Sequence, residues 1–169
     1  MKTEWGERLD EAAILQEYPR PQLRRESYVN LNGRWEYAIT DGGLEPAQYD
    51  GTILVPFSPE APLSGVGRTL RPGQTLWYRR ALPLRPQPGR RLLLHFGACD
   101  QQAEVYVNQK KLAAHTGGYT AFTADATDAL AEENTLVVRV RDDSDASTLP
   151  RGKQRRKRGG IWYTPQSGL

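Results

Sequence analysis

The stretch Gly97-Ala-Cys-Asp-Gln-Gln-Ala-Glu-Val-Tyr-Val-Asn108 decides the fold of this chain. Leu92, Leu93, Leu94 and Phe96 precede it as an apolar run too short for an ordinary helix and rich enough for a buried strand. After the break at Gly97, Val105 and Val107 alternate with Glu104, Tyr106 and Asn108, the period-two signature of a half-buried strand. Lys111 to His115 runs back beyond a tight turn, and Thr135 to Arg141 repeats the alternation with Leu136, Val138 and Val140. Strands separated by turn residues in this way predict an antiparallel core, around which the rest of the chain wraps.

Outward from that centre, Trp35, Tyr37 and Ile39 alternate with Arg34, Glu36 and Ala38, so a strand follows Asn32-Gly33 and closes at the turn Asp41-Gly-Gly43. Ile53-Leu-Val-Pro56 reads as a strand cut off by its proline at a sheet edge. The segment 56–73 is a loop, and Leu76 to Leu84 is the next strand, with Trp77 and Arg79 on one face and Tyr78 and Arg80 on the other. Met1 to Gln16 holds the expected helix, with Trp5, Leu9 and Ala12 at helical spacing and Thr3 or Asp10 as caps. Pro19 and Pro21 end it as an extended arm. At Asn108-Gln109 a type I′ hairpin would need positive φ at both residues, which Gln accepts poorly, so a different loop length is expected. The glycines of the turn Thr116-Gly-Gly allow close backbone approach or positive φ, Tyr119 and Phe122 after it are expected as core aromatics with sugar stacking as the alternative, and Asp125-Ala-Thr127 suits a local cap before a helical turn.

With 169 residues the chain can bury a real core in one domain, and twelve prolines with sixteen glycines favour an all-β sandwich over a helical bundle. The formal charge of +3 is modest and matters less than its distribution. A single cysteine, Cys99, rules out an internal disulfide and fits a reducing compartment. No segment has the length of a signal-peptide core or a membrane span, so a cytoplasmic protein without a membrane partner is expected.

Leu94-His-Phe-Gly-Ala-Cys-Asp100, Val105-Tyr-Val-Asn108, His115-Thr-Gly-Gly-Tyr-Thr-Ala-Phe122 and Asn134-Thr-Leu-Val-Val-Arg-Val140 resemble the N-terminal sugar-binding domain of glycoside hydrolase family 2, the family of β-galactosidases, β-glucuronidases and β-mannosidases. Tyr18-Pro-Arg-Pro-Gln22, Asn30-Leu-Asn-Gly-Arg-Trp35, Val55-Pro-Phe57, Leu63-Ser-Gly-Val66, Leu76-Trp-Tyr-Arg79 and Gly160-Ile-Trp-Tyr-Thr-Pro165 extend the resemblance from about Tyr18 to the last residue. It implies an antiparallel jelly-roll sandwich of galactose-binding type over 18–169, preceded by a short helix or arm over 1–17. It also implies an accessory role, in which the domain completes a sugar subsite and docks a catalytic barrel carrying two glutamates. In the family, Ser167-Gly-Leu169 leads into a last strand, so the final strand is expected to be missing. A chain lacking it would leave a sheet edge unpaired and be weakly stable or self-associating.

The strongest charge signal is Arg151-Gly-Lys-Gln-Arg-Arg-Lys-Arg158, six cations in eight residues, directly before Gly159-Gly-Ile-Trp-Tyr163. It reads as a solvated loop, as part of a carbohydrate site, or as a patch for an anionic polymer such as nucleic acid. The resemblance favours carbohydrate and selects Asp142, Arg151, Lys153, Gln154, Trp162 and Tyr163 as substrate-binding residues. Retaining hydrolysis needs two carboxylates about 5 Å apart. None of the acids forms a convincing pair, so the chain alone is expected to be catalytically silent. The crowded Asp142, Asp143 and Asp145 lack the distal ligand of a calcium loop, and His95 and His115 lack a metal-ligand pattern, so no metal and no cofactor are expected.

Overall fold

Alternation in the sequence becomes alternation across two sheets in the computed structural model, which describes residues 3–17, 22 and 25–169. The strands among the described residues are β1 (Gly33–Asp41), β2 (Gly51–Val55), β3 (Gln74–Ala81), β4 (Leu93–Phe96), β5 (Gln102–Val107), β6 (Lys110–Thr116), β7 (Phe122–Asp125) and β8 (Thr135–Arg141). Six of them form an antiparallel sheet in the order β2-β1-β3-β8-β5-β6, and β4 pairs with β7 in the opposing layer. As expected, the proline-terminated Ile53–Val55 run lies in an edge strand.

The register explains where the core sits. Tyr37 pairs with Tyr78, Tyr78 with Val138, Val138 with Val105 and Val105 with Ala113, so one row of the large sheet points inward together. Leu94 of β4 and Ala124 of β7 close over that row and share its buried cluster with Trp35, Leu76 and Cys99. The Trp35 ring meets Tyr78 edge-on at 6.3 Å, and its Nε1 donates to Leu31 O at 2.8 Å, so the indole is buried without an orphaned N–H. One row further along, Ala38, Trp77, Arg139 and Glu104 face outward. Trp77 packs there with Ala38 and Val137 in a second, smaller cluster. The fold is therefore an all-β sandwich.

Four expectations need correction. The helix is a single turn, Glu4–Glu7, capped by Thr3 Oγ1 accepting from Gly6 N at 3.2 Å. Trp5 is 81% exposed, and within the turn only Gly6 is buried, beside Leu63, so little packing offsets the cost of helix nucleation; Ile14 makes the further buried contact of this segment. The Pro19 and Pro21 arm lies outside the described residues. At the β5–β6 hairpin the loop keeps two residues, with φ of 50° at Asn108 and 67° at Gln109. Asn108 pins the turn: its Nδ2 donates to Ala129 O and Asn134 Oδ1, and its Oδ1 accepts from Thr135 N. That network offsets the strain at Gln109. Phe122 packs on the core between Phe96 and His115, at ring separations of 4.7 and 4.5 Å, but Tyr119 is 59% exposed and turned out by the Gly117-Gly118 bend. Finally, β3 stops at Ala81, before Pro83 can interrupt its ladder.

Candidate functional site

The segment after β8 returns along one end of the sandwich and forms a rim there. It is held in two places. Tyr163 N donates to Lys153 O at 3.0 Å and Arg155 N to Tyr163 O at 2.8 Å, which lays the two arms of the loop side by side. Gly168 and Asp100 exchange backbone hydrogen bonds of 2.7 and 2.9 Å, which fasten the returning chain beside the start of β5. Gly152 sits at φ 59°, and a Cβ there would fall 2.8 Å from the Tyr119 hydroxyl and 3.3 Å from that of Tyr163. Glycine is thus needed both for the left-handed turn and for the close approach of two tyrosines.

The residues singled out from sequence divide into inward and outward sets. Asp142 is 2% exposed: its Oδ1 accepts from Ser144 N at 2.6 Å, and its Oδ2 lies 2.8 Å from Ser167 Oγ. It faces the protein interior. Gln154 is buried as well, donating from Nε2 to Asp100 Oδ2 at 3.0 Å and accepting from Gln166 N at 2.6 Å. Lys153 and Tyr163 face out, with Arg151 and Trp162 half-buried beside them. Of the six cations in 151–158, Arg155 and Arg156 stand 3.6 and 3.0 Å from the Asp145 carboxylate, and the Arg155 guanidinium lies 5.4 Å from the Trp162 ring centre. Among the described residues Lys153, Lys157 and Arg158 have no carboxylate partner. The outward face of the rim is cationic and aromatic, with Tyr119 as an added member.

Sequence reasoning missed Asp100, Glu60 and Ser167, whereas it gave the Gly117-Gly118 turn a close backbone approach and Tyr119 sugar stacking as the alternative to a core role. Asp100 lies against the backbone of Gly118, where a Cβ would come within 2.6 Å of its carboxylate. Burial pushes the Asp100 carboxyl up to about 6, opposed by the Gln154 amide and reinforced by the charges of Asp142 and Glu60. Glu60 is also raised by burial, although Ser167 and the Leu70 N–H donate to it. These acids lie at the end of the sandwich: Asp100 Oδ2 accepts from Gln154, the Glu60 oxygens accept from Leu70 N, Ser167 N and the Ser167 hydroxyl, and the buried Asp100 Oδ1 has no hydrogen-bond partner. Among the described residues no group of three or more His, Cys, Asp or Glu is placed to hold a metal ion.

A groove of about 170 Å³ lies elsewhere, on the outer face of β5, β6 and β8, between Glu104, Arg139 and Arg141. Its carboxylate is structural: Lys111, first, and then Arg139 and Tyr106 bond to Glu104 and hold it down at about 2. No described helix is long and apolar enough to cross a membrane.

A six-stranded antiparallel sheet closed by a two-stranded layer, with a rim of loops at one end, is the architecture of a galactose-binding-like sandwich. Residues 70–165, more than half of the chain, match the glycosyl hydrolase 2 galactose-binding domain-like family, and the chain belongs to it. It is 36% identical over 76 residues to a β-glucuronidase of Bacteroides fragilis, an overlap covering 43% of this chain and 11% of that protein. A putative β-glucuronidase of Formosa agariphila is 34% identical over 79 residues, 46% of this chain and 10% of that one. Among solved structures, the Faecalibacterium prausnitzii β-glucuronidase superposes with a TM-score of 0.58 at 27% identity, covering 72% of this chain and 23% of that one. The Lactobacillus rhamnosus β-glucuronidase gives 0.54 at 28% identity, covering 66% and 20%. The chain therefore spans about a tenth of the curated relatives and under a quarter of the solved ones.

Proposed function

We propose that this chain is the accessory domain of a retaining glycoside hydrolase of β-glucuronidase type, in which its rim completes the sugar subsite and docks the parent's catalytic part. One observation carries the reading: the rim turns its acids inward and presents Lys153, Tyr163 and Tyr119 outward, with Arg151 and Trp162 half-buried beside them. Lysine and arginine hydrogen-bond a sugar carboxylate with charge assistance, and an aromatic ring covers a pyranose face. A glucuronide offers both features, and the named relatives are β-glucuronidases. Asp142 and Gln154 then act as supports beneath the rim, while bond cleavage falls to carboxylates of the parent outside this chain. The lone, buried Cys99 suits a reducing, cytoplasmic setting.

Titration of the chain with D-glucuronate, D-glucose and a short single-stranded DNA at two salt concentrations tests this reading. The amide and indole signals of Lys153, Trp162 and Tyr163 should respond to glucuronate and little to glucose. Strong, salt-sensitive DNA binding with no response to glucuronate would replace this reading by that of a module for anionic polymers.

A further inference from the structure

The chain that returns after β8 sorts its charge along the rim. From Ala146 to Leu169 it carries no Asp or Glu, while six cations fall within 151–158. Asp145, just before that stretch, takes two of them, Arg155 and Arg156, and Arg151 donates to Ser147 O at 3.5 Å. Lys153, Lys157 and Arg158 are exposed, and among the described residues none of their side chains meets an acceptor.

Backbone pairing fixes where these three stand. Trp162 and Tyr163 are consecutive, yet Trp162 pairs with Gly159, while Tyr163 N and O bond to Lys153 and Arg155. Arg156, Lys157 and Arg158 therefore fall between the partners of two adjacent residues and are thrown out as a bulge. Gly160, at φ 58°, closes the turn behind it, with Trp162 N donating to Gly159 O at 3.1 Å. The contact of Arg155 with Asp145 and its place over the Trp162 ring tie the near end of the bulge to the body. Lys153 thus stands with Tyr163, and Lys157 with Arg158 projects from the bulge beside the same two rings.

A single uronate carries one carboxylate, which Lys153 can meet. The two cations of the bulge then remain without a counter-charge, and a neutral aglycone supplies none. We infer that the ligand is an acidic oligosaccharide: one uronate lies at Lys153 and Tyr163, and a second anionic group, carboxylate or sulfate, on a unit further along the saccharide lies at Lys157 and Arg158. This rests on the sugar reading above and extends it from one subsite to two. Single-stranded nucleic acid is held by a basic groove that tracks its backbone over several nucleotides. Three free cations around two rings suit a shorter ligand with fewer charges.

The test is an amide NMR titration of the whole chain with D-glucuronate, a glucuronosyl-N-acetylglucosamine disaccharide, the tetrasaccharide built from it, the sulfated tetrasaccharide and a short single-stranded DNA. Lys153 and Tyr163 should respond to every saccharide, and Lys157 and Arg158 only to the tetrasaccharides. The tetrasaccharide should bind about tenfold or more tighter than the disaccharide, as one added charge-assisted hydrogen bond would give, and the gain should shrink as salt rises. A further gain on sulfation identifies the second anion as sulfate, and no further gain identifies it as carboxylate. Lys157→Gln combined with Arg158→Gln, at two exposed positions without partners, should remove the gain and leave disaccharide binding unchanged. Equal affinity for disaccharide and tetrasaccharide, a gain that survives the double variant, or DNA bound as tightly as the tetrasaccharide overturns the inference while the sugar subsite stands. Silence of Lys153 and Tyr163 toward every saccharide instead refutes the sugar reading, and the inference with it.

Discussion

Gly118→Ala puts the support of the rim under the most direct strain. A Cβ at Gly118 would lie 2.6 Å from both Cγ and Oδ1 of Asp100 and 2.9 Å from Oδ2, well inside contact distance. The Asp100 backbone cannot retreat cheaply, because it is bonded in both directions to Gly168. The carboxylate must swing away, which breaks the 3.0 Å bond from Gln154 Nε2 and leaves that buried amide only its longer, 3.4 Å bond to the Tyr119 hydroxyl. A hydrogen bond to a charged group contributes about 1.5–3 kcal/mol, and overpacking a close contact costs about 1–3 kcal/mol. The clash is relieved by the same rotation that breaks the bond, so the two costs overlap, and about 2–3 kcal/mol is expected. In a domain of this size that lowers the unfolding midpoint by roughly 5–10 °C. Thermal unfolding of wild type, Gly118→Ala, Asp100→Ala and the double variant forms the assay. The double variant should cost clearly less than the sum of the singles, since Ala at 100 removes the clash. A Gly118→Ala protein within about 0.5 kcal/mol of wild type, or strict additivity, would refute the reasoning.

Two further outcomes follow. Gln109→Gly should stabilise the β5–β6 hairpin by about 0.5–1 kcal/mol in chemical denaturation, because a left-handed conformation costs an L-residue about 1–2 kcal/mol and glycine gives part of that back through its own backbone entropy. Asp100 has a folded-state pKa raised from 3.8 to about 6, so its contribution is fully present below pH 3.8 and is lost as pH rises to about 6. Solvent screening at this half-buried group leaves about 1–2 kcal/mol of that swing, and Asp100→Asn should flatten the corresponding part of the stability–pH curve.

The strands were readable because their signal is local. Val105 and Val107, or Leu136, Val138 and Val140, declare their faces within a few residues, and the observed register brings those faces together. The rim was readable only as composition. Its basic run and Trp162-Tyr163 stand out in the chain, but which side chains face outward depends on partners far away in sequence. Asp142 looked like a ligand-binding acid and is consumed by Ser144 and Ser167. Gln154 is held by Asp100, and Ser167 by Glu60, contacts that no periodicity announces. Tyr119 was assigned inward as an aromatic after a turn, whereas the Gly117-Gly118 bend, with Asp100 laid against Gly118, aims it out. Gln109 misled for a related reason: the hairpin's loop length is set by Asn108 reaching Asn134 and Thr135, against the local preference of Gln.

The central claim is that this domain's outward rim reads an acidic sugar at another domain's catalytic centre. A chimera in which the chain replaces the corresponding segment of the Bacteroides fragilis β-glucuronidase measures this directly, through kcat/KM on a chromogenic glucuronide and on the matching glucoside. Lys153→Met and Tyr163→Ala should each lower kcat/KM for the glucuronide by about tenfold or more, the equivalent of one charge-assisted hydrogen bond or one ring contact, with glucoside turnover and thermal stability little changed. An active chimera whose glucuronide kinetics ignore both substitutions would contradict it.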